Sequence, residues 1–123
     1  MGKEFKLVIG GIVAEATLND TKTAQMVYDA LPITGKANLW GDEIYFDVTL
    51  QAVEENGKLT VAPGDIALWL AGPALCIFLG KTPISRGNEI RPASTVNVIG
   101  KINDISTLFR KVKDGEKITF RRL

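Results

Sequence analysis

Hydrophobic and polar residues alternate over most of the chain, and short turns that contain glycine separate the alternating runs. Residues 5–9 and 12–18 are two β-rich runs joined by Gly10 and Gly11, a pair that tolerates the positive φ angles of a tight turn. The chain is therefore predicted to open with a β-hairpin. Further strands are predicted within residues 37–48, with a bend at Gly41, and at residues 66–70, 75–79, 96–102 and 117–121.

Two segments have helical rather than alternating spacing. Apolar residues recur at helical intervals over residues 21–31, between Asn19-Asp20, which supply an N-cap, and Pro32, which prevents continuation. A second short helix is predicted near residues 104–111. Between the strands, residues 80–92 form the longest polar loop, and loops of this length often carry function.

Many short strands with only two brief helices favour a mainly β fold, and a closed barrel also removes exposed strand edges. We expect about eight strands, with the two helices packed at the ends of the barrel. The 123 residues are near the commonest domain size, so one domain over residues 1–123 is predicted.

The charge balance gives no global field that would attract nucleic acid or an anionic membrane. Fifteen basic residues face fourteen acidic ones, for a net charge of +1. The densest cationic stretch, residues 110–122, is interrupted by Asp114 and Glu116, which is typical of a solvated face. We therefore expect neither a nucleic-acid nor a membrane partner, and the sequence assigns no oligomeric state.

Cys76 is the single cysteine, so an intramolecular disulfide is impossible. Its apolar neighbours predict a buried thiol, which fits a reducing compartment. The N-terminus lacks the apolar core of a signal peptide, and no stretch approaches the roughly twenty apolar residues of a membrane span. A cytoplasmic location is expected.

The chain contains no histidine, which excludes serine and cysteine nucleophiles activated by histidine as well as zinc sites with histidine ligands. A carboxylate-only metal site around Asp42, Glu43 and Asp47 is disfavoured, because strand alternation sends neighbouring residues to opposite faces. The acidic pairs at 42–43 and 54–55 are instead expected to be solvated. No glycine motif for nucleotides is present, and we predict no metal and no cofactor.

Four segments together resemble the small cyclophilin-like proteins of bacteria and archaea. In order along the chain they are residues 40–46 (WGDEIYF), 64–69 (GDIALW), 72–83 (GPALCIFLGKTP) and 92–102 (PASTVNVIGKI). The resemblance spans nearly the whole chain and implies an eight-stranded cyclophilin-type barrel with helices capping its ends.

The resemblance to true cyclophilins, which are peptidyl-prolyl cis–trans isomerases, is mostly architectural, and fold alone does not carry function. In those enzymes a guanidinium donates toward the prolyl nitrogen from a region that matches residues 40–46 here. No arginine occurs between Gly2 and Ile84, and the groove histidine is also absent. No catalytic residue is therefore assigned.

The leading hypothesis is a binding domain that holds a peptide segment or a small anionic ligand in an apolar groove. Aromatic residues would form the groove, and polar residues that flank the loop 80–92 would form its rim. The alternatives are a weak isomerase that uses Arg86 or Arg91, and an interaction module that assembles through its aromatic residues. The candidate groove and rim residues are Trp40, Tyr45, Trp69, Phe78, Lys81, Thr82, Arg91 and Ser94.

Overall fold

The structure, a computed structural model, describes residues 3–123. This part of the chain contains nine strands, one α-helix and one 3₁₀ turn. In chain order they are β1 (Glu4–Ile9), β2 (Ile12–Leu18), α1 (Lys22–Ala30), β3 (Ile33–Lys36), β4 (Asn38–Trp40), β5 (Glu43–Asp47), β6 (Asp65–Trp69), β7 (Ala74–Phe78), β8 (Val96–Ile102), the 3₁₀ turn (Ile105–Thr107) and β9 (Lys117–Arg122).

All nine strands form one antiparallel sheet in the order β3-β9-β1-β2-β8-β6-β7-β5-β4. The two edge strands, β3 and β4, are consecutive in the chain with only Ala37 between them. At Gly35 in β3, an added Cβ atom would lie 2.7 Å from the Phe46 ring in β5, so the two ends of the sheet approach each other closely. The sheet is thus a nearly closed barrel.

The predicted mainly β barrel is confirmed, with nine strands instead of eight. The additional strand is β3, which the sequence pattern does not reveal, because it is four residues long and contains Gly35. Strand β3 is recognisable only through its pairing with β9, which lies far from it in the sequence. The predicted hairpin and the bend at Gly41 are also confirmed, with φ angles of 58° at Gly10 and 63° at Gly41.

The helical predictions need two corrections. Helix α1 occupies most of the predicted segment, but its N-cap is Thr21, whose hydroxyl accepts a hydrogen bond from the Ala24 amide at 3.1 Å. Asn19 instead accepts a hydrogen bond from the Thr21 hydroxyl at 2.6 Å. The second predicted helix is only a 3₁₀ turn, after which Arg110 adopts the left-handed φ of 57° that a continuing helix does not allow.

Two apolar clusters lie on opposite sides of the sheet, and this division positions the site. The barrel interior contains the rings of Phe5, Phe46 and Phe120, with Phe120 5.1 Å from each of the other two centroids. A smaller outer cluster is separate from that core. It comprises Ala67, Ala74, Cys76, Phe78, Ile90 and Val96.

Strand β7 is buried on both faces because it separates these two clusters. Leu75 and Ile77 point into the barrel, whereas Cys76 and Phe78 belong to the outer cluster. A strand buried on both faces is expected to be a continuous apolar run, as residues 74–78 are. Within residues 3–123, no helix is long and apolar enough to cross a membrane.

Candidate functional site

A small pocket of about 180 Å³ opens beside the outer cluster. Its walls come from the strands β4, β5, β6, β7 and β8 and from the end of the loop before β8. We call it the aromatic pocket. Its lining residues are Trp40, Glu43, Tyr45, Trp69, Cys76, Pro92, Ala93 and Val96.

Strand register brings these side chains together. Glu43 and Tyr45 are two residues apart on β5, so they share one face of the sheet. Trp40 pairs with Glu43 across β4 and β5, and Cys76 pairs with Tyr45 across β5 and β7. Trp69 lies at the end of β6, where it pairs with Val96 of β8.

Glu43 is the unusual member of the pocket. Glu43 is only 5% exposed, and its Oε1 atom has no hydrogen-bond partner among residues 3–123. Burial raises the pKa of the Glu43 carboxyl to about 7, although a hydrogen bond with the Cys76 thiol acts in the opposite direction. Near neutral pH this carboxyl is therefore divided between its protonated and ionised forms.

The Cys76 thiol stays neutral under the same conditions. Burial, and then the nearby charge of Glu43, raise the pKa of Cys76 well above its ordinary value. The Cys76 Sγ atom also lies 3.8 Å from the carbonyl oxygen of Ala74, so its single S–H hydrogen can be directed either to that oxygen or to Glu43. Cys76 is thus a buried apolar wall of the pocket, as its sequence neighbours predict, and not an activated nucleophile.

Trp69 is fixed by a polar contact at the edge of the pocket. Its indole Nε1–H donates to the Ser94 hydroxyl at 2.7 Å. Both residues are half-buried, so the indole combines an apolar surface with a satisfied polar group.

The loop before β8 is organised by hydrogen bonds among its own residues. The Thr82 hydroxyl donates to the carbonyl oxygen of Arg91, and the Ser85 hydroxyl accepts from the amides of Thr82 at 2.9 Å and Arg91 at 3.1 Å. The Arg91 guanidinium donates from Nε to Glu89 at 2.8 Å and lies 2.8 Å from the same carboxylate through Nη2. These contacts bring Pro92 and Ala93 to the pocket.

The structure places the eight candidate residues in three groups. Trp40, Tyr45 and Trp69 line the aromatic pocket, and Ser94 contacts it through Trp69. Phe78 is fully buried in the outer cluster. The remaining three, Lys81, Thr82 and Arg91, do not line the pocket; Lys81 is exposed, and the other two hold the loop together.

Sequence reasoning missed Glu43, Cys76, Pro92, Ala93 and Val96 as pocket residues. The expectation that Glu43 is solvated is wrong, because Glu43 is buried and lines the pocket together with Pro92, Ala93 and Val96 from a distant part of the chain. The sequence did contain a signal for Glu43. Glu43 and Tyr45 are two residues apart on one strand, so their side chains lie on the same face, and a groove on that face that includes Tyr45 includes Glu43 as well.

The other acidic residues are dispersed. Asp42 lies 3.7 Å from the Arg110 guanidinium, and Asp47 is exposed. Glu55 is not simply solvated either, since its carboxylate accepts from the amides of Lys22 and Thr23 at 2.9 Å each at the start of α1. In residues 3–123, no three acidic or cysteine side chains are grouped as a metal site would require.

Comparison with known proteins matches this architecture to a family. The model of the family described as Cyclophilin-like matches residues 3–121. The chain belongs to the Cyclophilin-like family. The resemblance seen in the sequence is therefore confirmed over nearly the whole chain.

A solved structure with the same fold is similar to this Cyclophilin-like domain. It is the solution structure of a hypothetical protein from Archaeoglobus fulgidus, 40% identical in sequence, with a TM-score of 0.81. The match covers 99% of this chain and 95% of the archaeal one. No curated protein matches the chain. These likenesses establish family and fold and assign no activity to the Cyclophilin-like domain.

Proposed function

We propose that this Cyclophilin-like domain is a binding domain whose aromatic pocket receives a compact apolar group of a peptide or small ligand. The observation that carries the proposal is the composition of the pocket. Two tryptophans and a tyrosine line it together with one buried carboxyl group, of which one oxygen has no hydrogen-bond partner in the described part of the chain. Ligand sites commonly combine apolar and aromatic walls with a few placed polar groups.

The size of the pocket limits what enters it. Its volume of about 180 Å³ is below the roughly 300–1,000 Å³ of sites that enclose a whole drug-sized molecule. An apolar cavity of about 150 Å³ accommodates a benzene ring. The pocket thus suits one side chain or one small ring, and the remainder of a larger ligand would lie outside it.

Isomerase activity, the alternative drawn from the family resemblance, has less support. It requires a guanidinium at the groove, and of the residues that the structure describes, no arginine lines the pocket. Arg91 is engaged by Glu89, and Arg86 is exposed on the loop. No observation favours isomerisation over simple binding.

The test is a fragment and peptide screen followed by NMR on the ¹⁵N-labelled protein. A pocket ligand is expected to shift the indole N–H resonances of Trp40 and Trp69. These are the chain's two tryptophans and both line the pocket. Replacing Ala93, an exposed alanine at the pocket, with phenylalanine should obstruct the opening and weaken binding by about tenfold or more, about 1.4 kcal/mol.

Ala62→Phe is the matched control, because Ala62 is an exposed loop alanine outside the pocket lining. It should leave both the indole shifts and the affinity unchanged. A ligand that binds Ala93→Phe as tightly as the unmodified protein, or that shifts neither indole, would place binding elsewhere and remove the support for this proposal.

A further inference from the structure

The aromatic pocket contains an ionisable carboxyl group, that of Glu43, which a purely apolar site lacks. Resting on the proposed function, we propose that the pocket selects a compact organic cation, an alkylammonium group. Glu43 would be its counter-ion, and the side chains of Trp40, Tyr45 and Trp69 would be its walls.

The first support is the unpartnered carboxylate oxygen. Buried polar atoms are nearly always hydrogen-bonded, and a buried charge needs a partner of opposite sign. Glu43 Oε1 has no hydrogen-bond partner, and no lysine or arginine lines the pocket among residues 3–123. The guanidinium of Arg91 is bound to Glu89, and that of Arg110 lies beside Asp42. The pocket lining therefore supplies no positive charge to Glu43, and a bound cation would supply one.

The second support is the aromatic lining. Cations are attracted to the electron-rich faces of tryptophan and tyrosine rings, and aromatic cages recognise quaternary ammonium groups in this way. A neutral hydroxyl or amide would also donate a hydrogen bond to Glu43, but it would lack the cation–π attraction to the rings. The combination of three aromatic residues and one acid therefore favours a cation over a neutral donor.

Binding should also depend on pH, with a direction fixed by Glu43. The titratable groups that share the pocket are Cys76 on β7 and Tyr45 on β5, while β4, β6, β8 and the loop contribute only non-titratable side chains. The raised pKa of Cys76 keeps the thiol neutral. An acid with a pKa of about 7 is roughly one-tenth ionised at pH 6 and nine-tenths at pH 8. Affinity for a cation should thus rise about tenfold over that interval.

The experiment compares choline with its neutral carbon isostere, 3,3-dimethyl-1-butanol. Binding is followed by tryptophan fluorescence and by the two indole resonances. At pH 8 choline should bind at least about tenfold more tightly than the isostere. Glu43→Gln preserves side-chain size and removes the charge, so it should reduce this preference to within about twofold and abolish its pH dependence. Glu15→Gln, at an exposed position on β2, is the matched control and should behave like the unmodified protein.

The outcomes separate this inference from the proposed function. Equal binding of choline and the isostere at the indoles would overturn cation selection and leave a binding pocket in place. Absence of binding by both probes, and by the wider screen, would overturn both proposals. If Glu43→Gln fails to fold, the pH profile of the unmodified protein decides: a choline affinity that is flat between pH 6 and 8 refutes the role of Glu43.

A further arm distinguishes the two sources of an alkylammonium group. A short peptide that contains trimethyl-lysine is compared with free choline at pH 8. Tighter binding of the peptide would indicate a modified protein as the ligand, whereas equal or tighter binding of choline would indicate a small molecule. Both results support cation selection, and failure of both probes to bind refutes it.

Discussion

Replacing Glu43 with glutamine should change how the stability of the domain depends on pH. In the unfolded chain this carboxyl has an ordinary pKa of 4.5, and in the folded protein burial raises the pKa to about 7. Folding therefore disfavours ionisation of Glu43. Below about pH 4.5 the carboxyl is protonated in both the folded and the unfolded state. As the pH rises from about 4.5 to about 7, the unfolded chain ionises Glu43 while the folded protein does not, so the free energy of unfolding falls.

The size of this loss follows from the pKa difference. The two values differ by about 2.5 units, and each unit corresponds to about 1.4 kcal/mol, so Glu43 should lower the free energy of unfolding by about 3 kcal/mol between pH 4 and pH 8. That is a large fraction of the roughly 5–15 kcal/mol that stabilises a typical domain. The loss should be steepest between pH 4.5 and 7 and nearly complete above pH 8.

The assay is denaturant unfolding at half-unit pH intervals for the unmodified protein and for Glu43→Gln. All other titrating groups are common to both proteins, so their difference isolates residue 43. Relative to the glutamine variant, the unmodified protein should become about 3 kcal/mol less stable across the interval. Glu15→Gln, an exposed control, should follow the unmodified protein. Parallel stability profiles for the unmodified protein and Glu43→Gln would refute the reasoning, as would a carbon-13 NMR titration that gives Glu43 an ordinary pKa.

Three further predictions test the barrel and the site. The Cys76 thiol is buried and its pKa is raised, so a thiol reagent should modify it only after unfolding; rapid modification of the native protein would contradict this. Gly100→Ala should destabilise the protein by about 1–3 kcal/mol in denaturant unfolding, because an added Cβ would lie 2.3 Å from the Thr17 carbonyl oxygen. Gly11→Ala should be close to neutral, because an added Cβ there would have no atom of the described residues within 4 Å apart from its chain neighbours; equal effects of the two substitutions would argue against the clash. A proline-peptide isomerisation assay should show no acceleration with the unmodified protein or the Arg86/Arg91 double-alanine variant; acceleration lost in the variant would establish a relocated guanidinium.

The sequence carries enough information to predict most of the barrel, because local patterns encode most of its strands. The hairpin at Gly10 and the bend at Gly41 each need a positive φ, and glycine supplies it at both positions. Strand β3 could not be predicted in this way. Its four residues are defined by pairing with β9, which is more than eighty residues away in the chain.

The site was only partly predictable for a different reason. Trp40, Tyr45 and Trp69 could be selected as candidates because large aromatic residues with polar groups often border pockets. Alternation places Glu43 on the same face as Tyr45, but it does not show what lies over that face, so the burial of Glu43 could not be predicted. The pocket residues Pro92, Ala93 and Val96 are about fifty positions later in the chain. Lys81 and Arg91 flank the loop that reaches the pocket, but neither lines it. Lys81 is exposed, and the Arg91 guanidinium is bound to Glu89.

The double-sided burial of β7 has a consequence for how a ligand would act on the whole molecule. The wall of the aromatic pocket that contains Cys76 belongs to a strand whose other face is part of the barrel core. Such a strand exchanges its amide hydrogens only through openings that approach global unfolding, whereas the rim at residues 92–93 lies outside the regular strands and can open locally. Ligand binding in the pocket should therefore slow hydrogen exchange throughout β5, β6 and β7, because it would stabilise the folded state of the entire sheet.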